Sequence, residues 1–211
     1  MRPPVTLAVL ASGTGSNFEA LVGASRAPGF PARIGLLVTD SPVVPALERA
    51  RRLEVPALAL HAGRFRSRIE DELGWRDALL SRGIEGLLLA GFLRLLDAPL
   101  LEAFPQRVLN IHPSLLPAFP GLDAIRRAFQ HGVRVTGCTV HVVDPELDAG
   151  PIVAQTPVEI TDGETLESLE ARIHEAEHAL YPEAVRRYFG DPHHVEGRRI
   201  VFDGSGAASR V

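Results

Sequence analysis

Short apolar runs alternate with helical segments along the first half of the chain, and this alternation restricts the fold more than any other feature. Runs such as VTLAVLAS and GLLLAGF are almost continuously apolar, as expected of strands whose two faces are both covered. Strands that alternate with helices through short connections form parallel sheets of βαβ units. We therefore predict an α/β fold: an open, mostly parallel twisted sheet with helices on both faces. Strands are predicted at 5–12, 33–40, 56–61, 86–92 and up to 112, and helices at 17–24, 45–53, 66–82 and 98–104.

The pattern changes after residue 121. A short helix is predicted at 124–131, followed by two strands at 136–143 and 151–160. Thr165 is a suitable N-cap for a long helix, in which Leu166, Leu169, Ile173, Leu180 and Val185 form one apolar face. An edge strand is predicted at 199–202, and 203–211 is predicted to be frayed. We expect one domain over 1–211, with halves at 1–105 and 106–190 and a tail at 191–211.

Composition and charge exclude several classes of partner. The chain has 211 residues and a formal net charge of −4, with no block rich in Lys and Arg, whereas binding to a nucleic-acid backbone requires clustered positive charge. The first apolar run is too short to span a bilayer. Its single cysteine, Cys138, fits a reducing compartment. We expect a cytoplasmic protein that binds neither nucleic acid nor membrane.

The stretch RVLNIHPSLLPAFPG at 107–121 places two polar side chains at the end of a strand. Asn110 and His112 are two residues apart, so they point to the same side of the strand, and Pro113 ends regular pairing. Open α/β sheets bind ligands at the carboxyl ends of their strands. This pattern predicts a site built on the amide and the imidazole; a polar turn without function is the alternative.

SGTGSN at 12–17 lies between the first strand and the first helix. Glycines allow an anion to approach the backbone closely, and a helix N-terminus offers free N–H groups, so the loop is suited to phosphate. It is not a Walker A loop, because no Gly-Lys-Ser/Thr follows. It also departs from the dinucleotide fingerprint at Phe18, although Asp40 imitates the ribose-binding acid of that fingerprint. A glycine turn needed only for packing is the remaining alternative.

Two further motifs contain carboxylates. Asp148, in the loop at 144–150, either bonds its own turn or reaches His112 and raises the pKa of that imidazole. HEAEH at 174–178 is a literal H-E-x-x-H in which two histidines share a helix face and Glu175 would be the base of a zinc site. The zinc interpretation is disfavoured, because Pro182 is expected to break the helical pattern and no third-ligand motif follows. His141 lies on a predicted strand from which it could line a pocket.

Taken together, these segments resemble the phosphoribosylglycinamide formyltransferase family, the folate-dependent enzymes of de novo purine synthesis. The resemblance rests on SGTGSN at 12–17, LAGFLR at 89–94, LNIHPSLLP at 109–117, GCTVHVV at 137–143, LDAGPI at 147–152 and EHALYP at 177–182. It implies a Rossmann-like formyltransferase fold, with a phosphate-binding half at 1–105 and a catalytic, folate-binding half at 106–190. It also implies transfer of a formyl group from 10-formyltetrahydrofolate, as co-substrate, to the amine of glycinamide ribonucleotide, without a metal.

The resemblance assigns roles to named residues. Asn110, His112 and Asp148 match the catalytic trio: Asn110 would bind the oxyanion, His112, kept cationic by Asp148, would supply a proton, and Asp148 would orient a proton-relaying water. Ala118 is a departure, because some members of the family carry a basic residue at this position. The remaining matches are to positions that bind the two substrates. Gly15, Ser16 and Asn17 match the phosphate-binding positions, Glu177 matches the acid that meets the ribose hydroxyls, and Arg68, Leu93, Arg94, Leu95 and Leu96 match the folate-binding positions.

Three other functions compete with this one. A formyltetrahydrofolate hydrolase shares the core chemistry with water as acceptor, but its members carry an N-terminal regulatory domain and a second histidine where this chain has Pro113. A methionyl-tRNA formyltransferase needs a further C-terminal domain and a basic surface. A non-catalytic folate or nucleotide sensor would have no need for the catalytic trio. A homodimer is left open as the assembly.

Overall fold

One sheet of nine strands forms the centre of the described part of the chain, residues 3–64 and 67–203 of a computed structural model. Its strands are β1 (Val5–Leu10), β2 (Ala32–Thr39), β3 (Ala57–Ala59), β4 (Gly86–Leu89), β5 (Val108–His112), β6 (Val135–Val142), β7 (Ile152–Glu159), β8 (His193–Glu196) and β9 (Arg199–Phe202). The helices are α1 (Ser16–Ser25), α2 (Pro45–Arg52), α3 (Glu72–Leu80), α4 (Ala98–Ala103), α5 (Ala124–His131) and α6 (Leu166–Gly190). The strand order across the sheet is β3-β2-β1-β4-β5-β6-β7-β9-β8.

The first five strands all run in one direction. β1 pairs in parallel with β2 and β4, and β3 and β5 extend the parallel sheet on its two sides. A helix follows each of these strands, as in a series of βαβ units. The predicted α/β class, an open and mostly parallel sheet, is confirmed.

The apolar residues of the central strands alternate between two cores. Leu7 and Val9 of β1 pack with α1, α2 and α6, whereas Ala8 and Leu10 pack with α3 and α4 on the opposite face. This division follows the two-residue period of a strand. Helices cover both faces of the central strands. Polar side chains of these strands are therefore open to a ligand only at the strand ends.

The second half of the sheet contains the antiparallel pairs. β6 runs antiparallel to both β5 and β7, and the hairpin of β8 and β9 adds to β7. The long helix α6 begins as predicted, because the Thr165 hydroxyl accepts a hydrogen bond from the Ser168 N–H at 3.1 Å. The predicted C-terminal combination of antiparallel strands and a long helix is thus present.

Two predicted element boundaries, near the residues expected to bind folate, were wrong. The helix predicted at 66–82 begins only at Glu72, where the Asp71 side chain caps it by accepting the Gly74 N–H at 2.9 Å; residues 65–66 lie outside the described part. Arg68 is drawn instead into an isolated parallel bridge with Leu95. The strand predicted at 86–92 ends at Leu89, and the chain then turns. The first difference comes from a contact between separate segments, and the second accompanies a turn at Gly91, whose φ is 68°.

Two further expectations concern the C-terminal region. Pro182 does not end the helix, because α6 continues through it to Gly190. The strand predicted at 199–202 is β9, but the outer edge of the sheet is β8, which was not predicted. Of the segment predicted to be frayed, residues 204–211 lie outside the described part of the chain. In the described ranges, no helix combines the length and the apolar character needed to cross a bilayer.

Candidate active site

The strand order reverses direction between β1 and β4, and the predicted functional segments gather around this point. The chain proceeds from β1 outward to β3, then returns to add β4 and β5 on the other side of β1. The loop at 12–15 follows β1, the segment at 90–97 follows β4, and Asn110 and His112 lie at the end of β5. A crevice at such a switch point is where open α/β sheets bind ligands.

Asn110 is held by a histidine from the neighbouring strand. The antiparallel register places His141 of β6 directly opposite Asn110, and the Asn110 Nδ2 atom lies 3.1 Å from His141 Nε2. His141 Nδ1 lies 3.1 Å from the Val142 carbonyl oxygen, which can only accept, so Nδ1 carries a proton. In a neutral His141, Nε2 then accepts from the Asn110 amide. This bond uses one of the two N–H groups of the Asn110 amide, so the second N–H can donate to a ligand.

His112 is buried, and both of its ring nitrogens have neighbours. Nε2 lies 2.9 Å from the Phe119 carbonyl oxygen and must donate to it, so Nδ1 is the nitrogen that titrates. Nδ1 lies 3.5 Å from Asp148 Oδ2. Burial lowers the pKa of His112 below its ordinary value, although Asp148 acts in the opposite direction. In the free protein, desolvation of His112 opposes the effect expected of Asp148, which is to keep this imidazole cationic.

Asp148 contacts both histidines and the loop that follows β5. Its Oδ2 accepts the Gly121 N–H at 2.7 Å, and its Oδ1 lies 3.6 Å from His141 Nε2. Burial raises the pKa of Asp148, but the neighbouring His141, the hydrogen bond from the Gly121 N–H and the charge that His112 carries when protonated together lower it below its ordinary value. Of the two interpretations of this aspartate, the contact with His112 is the one that the structure contains.

The backbone of the Asp148 loop has little freedom. Asp148 adopts a left-handed conformation with φ of 52°, which aspartate tolerates better than most residues. Two residues later, a Cβ on Gly150 would lie 1.8 Å from the Val142 carbonyl oxygen, so only glycine fits. These constraints fix the direction from which the carboxylate enters the site.

The loop at 113–121 is tied to the antiparallel strands by buried hydroxyl groups. The Thr139 hydroxyl donates to the Ser114 carbonyl at 2.7 Å and accepts the Leu116 N–H at 3.1 Å. Gln155 of β7 donates to the Leu116 carbonyl at 2.9 Å. These bonds hold the part of the loop that delivers the Phe119 carbonyl to His112 and the Gly121 N–H to Asp148.

The glycine loop after β1 presents the N-terminus of α1. Gly15 is its N-cap residue, with φ of 75°, and a Cβ there would lie 2.8 Å from the Ala46 Cβ. α2 supports the loop, because the Ala46 N–H donates to the Gly13 carbonyl and Arg49 Nε donates to the Thr14 carbonyl at 2.8 Å. Ser16 begins the helix. The free N–H groups of this first turn form a surface suited to an anion.

Asn17 and Glu177 meet although 160 residues separate them. Asn17 Nδ2 donates to Glu177 Oε2 at 2.9 Å, and His174 Nδ1 lies 2.9 Å from the same oxygen. The bond with Glu177 raises the pKa of His174. Asn17 Oδ1 is buried without a hydrogen-bond partner in the described structure. The H-E-x-x-H motif thus contributes His174 to this cluster, whereas its Glu175 is exposed; the described residues contain no group of three or more His, Cys, Asp or Glu that could hold a metal ion.

A cavity of about 150 Å³ opens beside Asn110, His141 and Asp148. Phe92 and the segments 94–97 and 143–148 line it, together with Leu89 and Arg68. Arg68 is exposed, and its guanidinium lies 3.4 Å from Asp97. Leu96 is buried, whereas Leu93 and Leu95 are exposed large apolar side chains. The cavity therefore combines an apolar wall with a cation at its rim.

Arg94 differs from its neighbours in this segment. Its Nε lies 2.7 Å from Asp40 Oδ2, in an ion pair whose side chains are 16% and 8% exposed. Asp40 was the residue that imitated the ribose-binding acid of a dinucleotide site. Its carboxylate is engaged with Arg94 instead, which argues against that interpretation.

Comparison with known proteins agrees with this arrangement. The family model described as Formyl transferase matches residues 5–185, a range that contains the glycine loop, the β5 site, Asp148 and Glu177. The chain belongs to the formyl transferase family. That match covers most of the chain.

Individual members of the formyl transferase family are similar over the same range. A phosphoribosylglycinamide formyltransferase from Bacillus subtilis is 43% identical over 183 residues, which are 87% of this chain and 94% of that protein. The human trifunctional purine biosynthetic protein adenosine-3 is 38% identical over 180 residues, 85% of this chain but only 18% of that protein. The crystal structure of glycinamide ribonucleotide transformylase 1 from Symbiobacterium toebii superposes with a TM-score of 0.89 at 43% identity, covering 94% of each chain.

This formyl transferase brings its predicted site residues together in three groups. Asn110, His112 and Asp148 form one group. Glu177 meets Asn17 beside Gly15 and Ser16, and the positions predicted to bind folate line or border the cavity. Sequence reasoning suggested that His141 could line a pocket but gave it no role beside Asn110, and it did not include the Phe119 carbonyl or the Gly121 N–H. His141 could have been found from the alternation of β6, because pairing with β5 places it opposite Asn110.

Proposed function

We propose that this formyl transferase moves the formyl group of 10-formyltetrahydrofolate to the amine of 5-phosphoribosylglycinamide. The products are formylglycinamide ribonucleotide and tetrahydrofolate, and the step belongs to de novo purine (IMP) biosynthesis. The observation that carries this proposal is the convergence of Asn110, His112 and Asp148 beside the switch-point crevice. The similarity to the Bacillus subtilis enzyme over 94% of its length supports the choice of acceptor.

The first step is attack of the amine on the formyl carbon. A new C–N bond forms, and the carbonyl oxygen of the formyl group becomes an oxyanion. The Asn110 N–H that His141 does not use is the donor for this oxyanion. A donor placed for an oxyanion in a desolvated site contributes about 3 kcal/mol to transition-state stabilisation. His141 contributes indirectly, because it fixes which way the amide points.

The second step transfers one proton from the attacking amine to the folate nitrogen. Neutral His112 has a free lone pair on Nδ1, since Nε2 donates to Phe119. Nδ1 accepts the proton of the amine, and the imidazolium then gives it to N10 as the bond between N10 and the formyl carbon breaks. Asp148, 3.5 Å from Nδ1, stabilises the imidazolium that forms, and we propose that it also orients a proton-relaying water beside this pair. His112 supplies the acid and the base, Asn110 donates to the oxyanion, and Asp148 stabilises the imidazolium. We therefore propose no metal cofactor.

The ribonucleotide binds at the N-terminus of α1. Gly15, Ser16 and Asn17 offer backbone N–H groups to its phosphate, and the helix dipole favours the negative charge. The Glu177 carboxylate accepts hydrogen bonds from the ribose hydroxyls while Asn17 and His174 hold it in place. Ala118 adds no charge to the phosphate site; the nearby Arg127 donates to the Pro120 carbonyl at 2.5 Å.

The folate binds in the cavity beside Asn110. A volume of about 150 Å³ is small for a complete folate, because ligand pockets commonly enclose 300–1,000 Å³. We therefore place the pteridine in the cavity, against Leu96 and the backbone of Arg94. Leu93 and Leu95 contact the ring that follows, and Arg68 meets the acidic tail.

The remaining expectations are part of the same proposal. We propose a cytoplasmic enzyme with one formyl transferase domain over 1–211, in which 1–105 binds phosphate and 106–190 binds folate and performs catalysis. A homodimer stays a prediction that sedimentation equilibrium would decide.

Absorbance-monitored turnover of 10-formyltetrahydrofolate, with and without glycinamide ribonucleotide, tests the proposed function. We expect consumption of the folate only when the ribonucleotide is present, with formylated ribonucleotide recovered in equal amount. Consumption without the ribonucleotide would replace the transferase with a hydrolase. Binding of both ligands without consumption would replace it with a sensor.

A further inference from the structure

The two tyrosines of the chain both lie on α6, and their hydroxyl groups bind different backbone carbonyls in and around β5. The Tyr181 hydroxyl lies 2.9 Å from the Leu109 carbonyl oxygen and 3.1 Å from that of Leu89. The Tyr188 hydroxyl lies 2.7 Å from the Gln106 carbonyl oxygen. One hydroxyl therefore holds a carbonyl inside β5, directly before Asn110, and the other holds a carbonyl of the turn that precedes this strand.

The two carbonyls that Tyr181 binds face each other across β4 and β5. The Ala90 N–H donates to Leu10 of β1, so the Leu89 carbonyl of the same peptide points away from β1, toward β5. The Val143 N–H donates to Val108, so the next carbonyl, that of Leu109, points toward β4. Tyr181 is 0% exposed. The Tyr181 hydroxyl thus links β4 to β5 by donating to one carbonyl of each strand, close to the switch-point crevice.

The Leu109 carbonyl belongs to the same peptide unit as the backbone nitrogen of Asn110. Because a peptide unit is planar, a hydrogen bond that fixes this carbonyl also fixes the plane from which the Asn110 Cα projects. The Asn110 side chain then reaches His141 and, in the proposed reaction, the oxyanion. The geometry points to Tyr181 as a positioning residue that aims the Asn110 amide through the Leu109 peptide. This inference rests on the proposed function.

The same helix also positions the other half of the site. Glu177, which binds Asn17, precedes Tyr181 by four residues and lies on the same face of α6. α6 therefore places both the carboxylate proposed to bind the ribonucleotide and the peptide unit between Leu109 and Asn110. Removing the Tyr181 hydroxyl should disturb this peptide unit without moving Glu177, because the aromatic ring and its packing remain.

Tyr181→Phe and Tyr188→Phe form a matched pair for testing this role. Each variant removes one buried hydroxyl from α6 and keeps the ring, so both should lower Tm by a few degrees. We expect kcat to fall about tenfold in Tyr181→Phe, with KM for the ribonucleotide unchanged, because misplacing a catalytic group costs rate rather than binding. In Tyr188→Phe, kcat should stay within about twofold of the parent. An unchanged kcat in Tyr181→Phe, or an equal fall in both variants, would overturn the inference.

A double-mutant cycle with Asn110→Ala tests whether the effect passes through Asn110. Single-turnover rates with enzyme in excess allow slow variants to be compared. If Tyr181 acts by aiming the amide, Tyr181→Phe has no further effect once the amide is absent. Rate losses that multiply would show that Tyr181 acts elsewhere and would overturn the inference. Failure of the proposed function is a different result, because the parent protein itself would then transfer no formyl group.

Discussion

The two buried carboxylates of the candidate site, Glu177 and Asp148, differ in how closely their neighbouring side chains approach them. Glu177 accepts two short hydrogen bonds at a single oxygen, both of 2.9 Å, from Asn17 and His174. Asp148 lies farther from its two histidines, at 3.5 Å from His112 and 3.6 Å from His141. Short bonds suit a group that must stay in place to bind a ligand. The longer distances mean that Asp148 acts on its histidines through charge, which suits a residue that stabilises an imidazolium formed during the proposed reaction.

The comparison predicts its largest effect for Asp148→Asn. Asparagine tolerates the left-handed backbone of this position but cannot stabilise the imidazolium, so kcat should fall about 10³-fold while KM for the ribonucleotide changes little. Steady-state kinetics with both substrates would measure this. The exposed Asp162→Asn serves as the control and should leave both constants unchanged. A loss confined to KM would place Asp148 among the binding residues.

Asn110→Ala should have the next largest effect. Removing the oxyanion donor lowers kcat by about 10²-fold to 10³-fold. Asn110→Asp, which keeps the shape of the side chain but has no N–H groups, should be as slow as Asn110→Ala. If the aspartate variant retained most of the parent kcat, donation to the oxyanion could not be the role of this residue.

Glu177→Gln should affect binding instead of rate. Loss of the charged acceptor raises KM for the ribonucleotide by about tenfold, because a hydrogen bond to a charged group contributes about 1.5–3 kcal/mol. We expect kcat to stay within about threefold of the parent, since in this account Glu177 takes no part in the proton transfer. Glu175→Gln, on an exposed position of the same helix, is the matched control. A tenfold loss in kcat at saturating substrate would remove the distinction between the two carboxylates.

The smallest effect concerns the histidines that contact each carboxylate. In NMR titrations the pKa of His112 should lie below 6.5, and that of His174 above 6.5. Asp148→Asn should lower the pKa of His112 further, because it removes a negative charge that stabilises the imidazolium. The pKa of His174 should not change in this variant. Glu177→Gln should lower the pKa of His174. A His112 pKa above 6.5 in the free protein would contradict the neutral starting state used in the mechanism.

The sequence predicted the parallel half of the fold because that information is local. Alternating apolar runs and helical segments gave the positions of β1 and β2, and the limits of α5 agree with the prediction. The start of α3 was misplaced, because Arg68 is held by Leu95, a contact between segments that local propensity does not reveal. Capping of α3 by Asp71 was a signal available in the sequence that we did not use.

The residues of the candidate site could be named from the sequence, whereas the electrostatics of the site could not. The resemblance brought forward Asn110, His112 and Asp148, and the structure places them near one another. The pKa of His112 depends on how deeply it is buried, and the Phe119 carbonyl fixes which nitrogen titrates; neither follows from the sequence. The partnership of Asn110 with His141 depends on the register between β5 and β6.

The distinction between the two carboxylates can be tested most directly by single-turnover formyl transfer at saturating concentrations of both substrates. Under these conditions binding no longer limits the rate, and Asp148→Asn and Glu177→Gln can be compared on chemistry alone. We predict that Asp148→Asn is slower than the parent by about 10³-fold and that Glu177→Gln is within about threefold of it. Equal rates in the two variants, or a near-normal rate in Asp148→Asn, would contradict the assignment of proton transfer to Asp148 and His112 and of binding to Glu177.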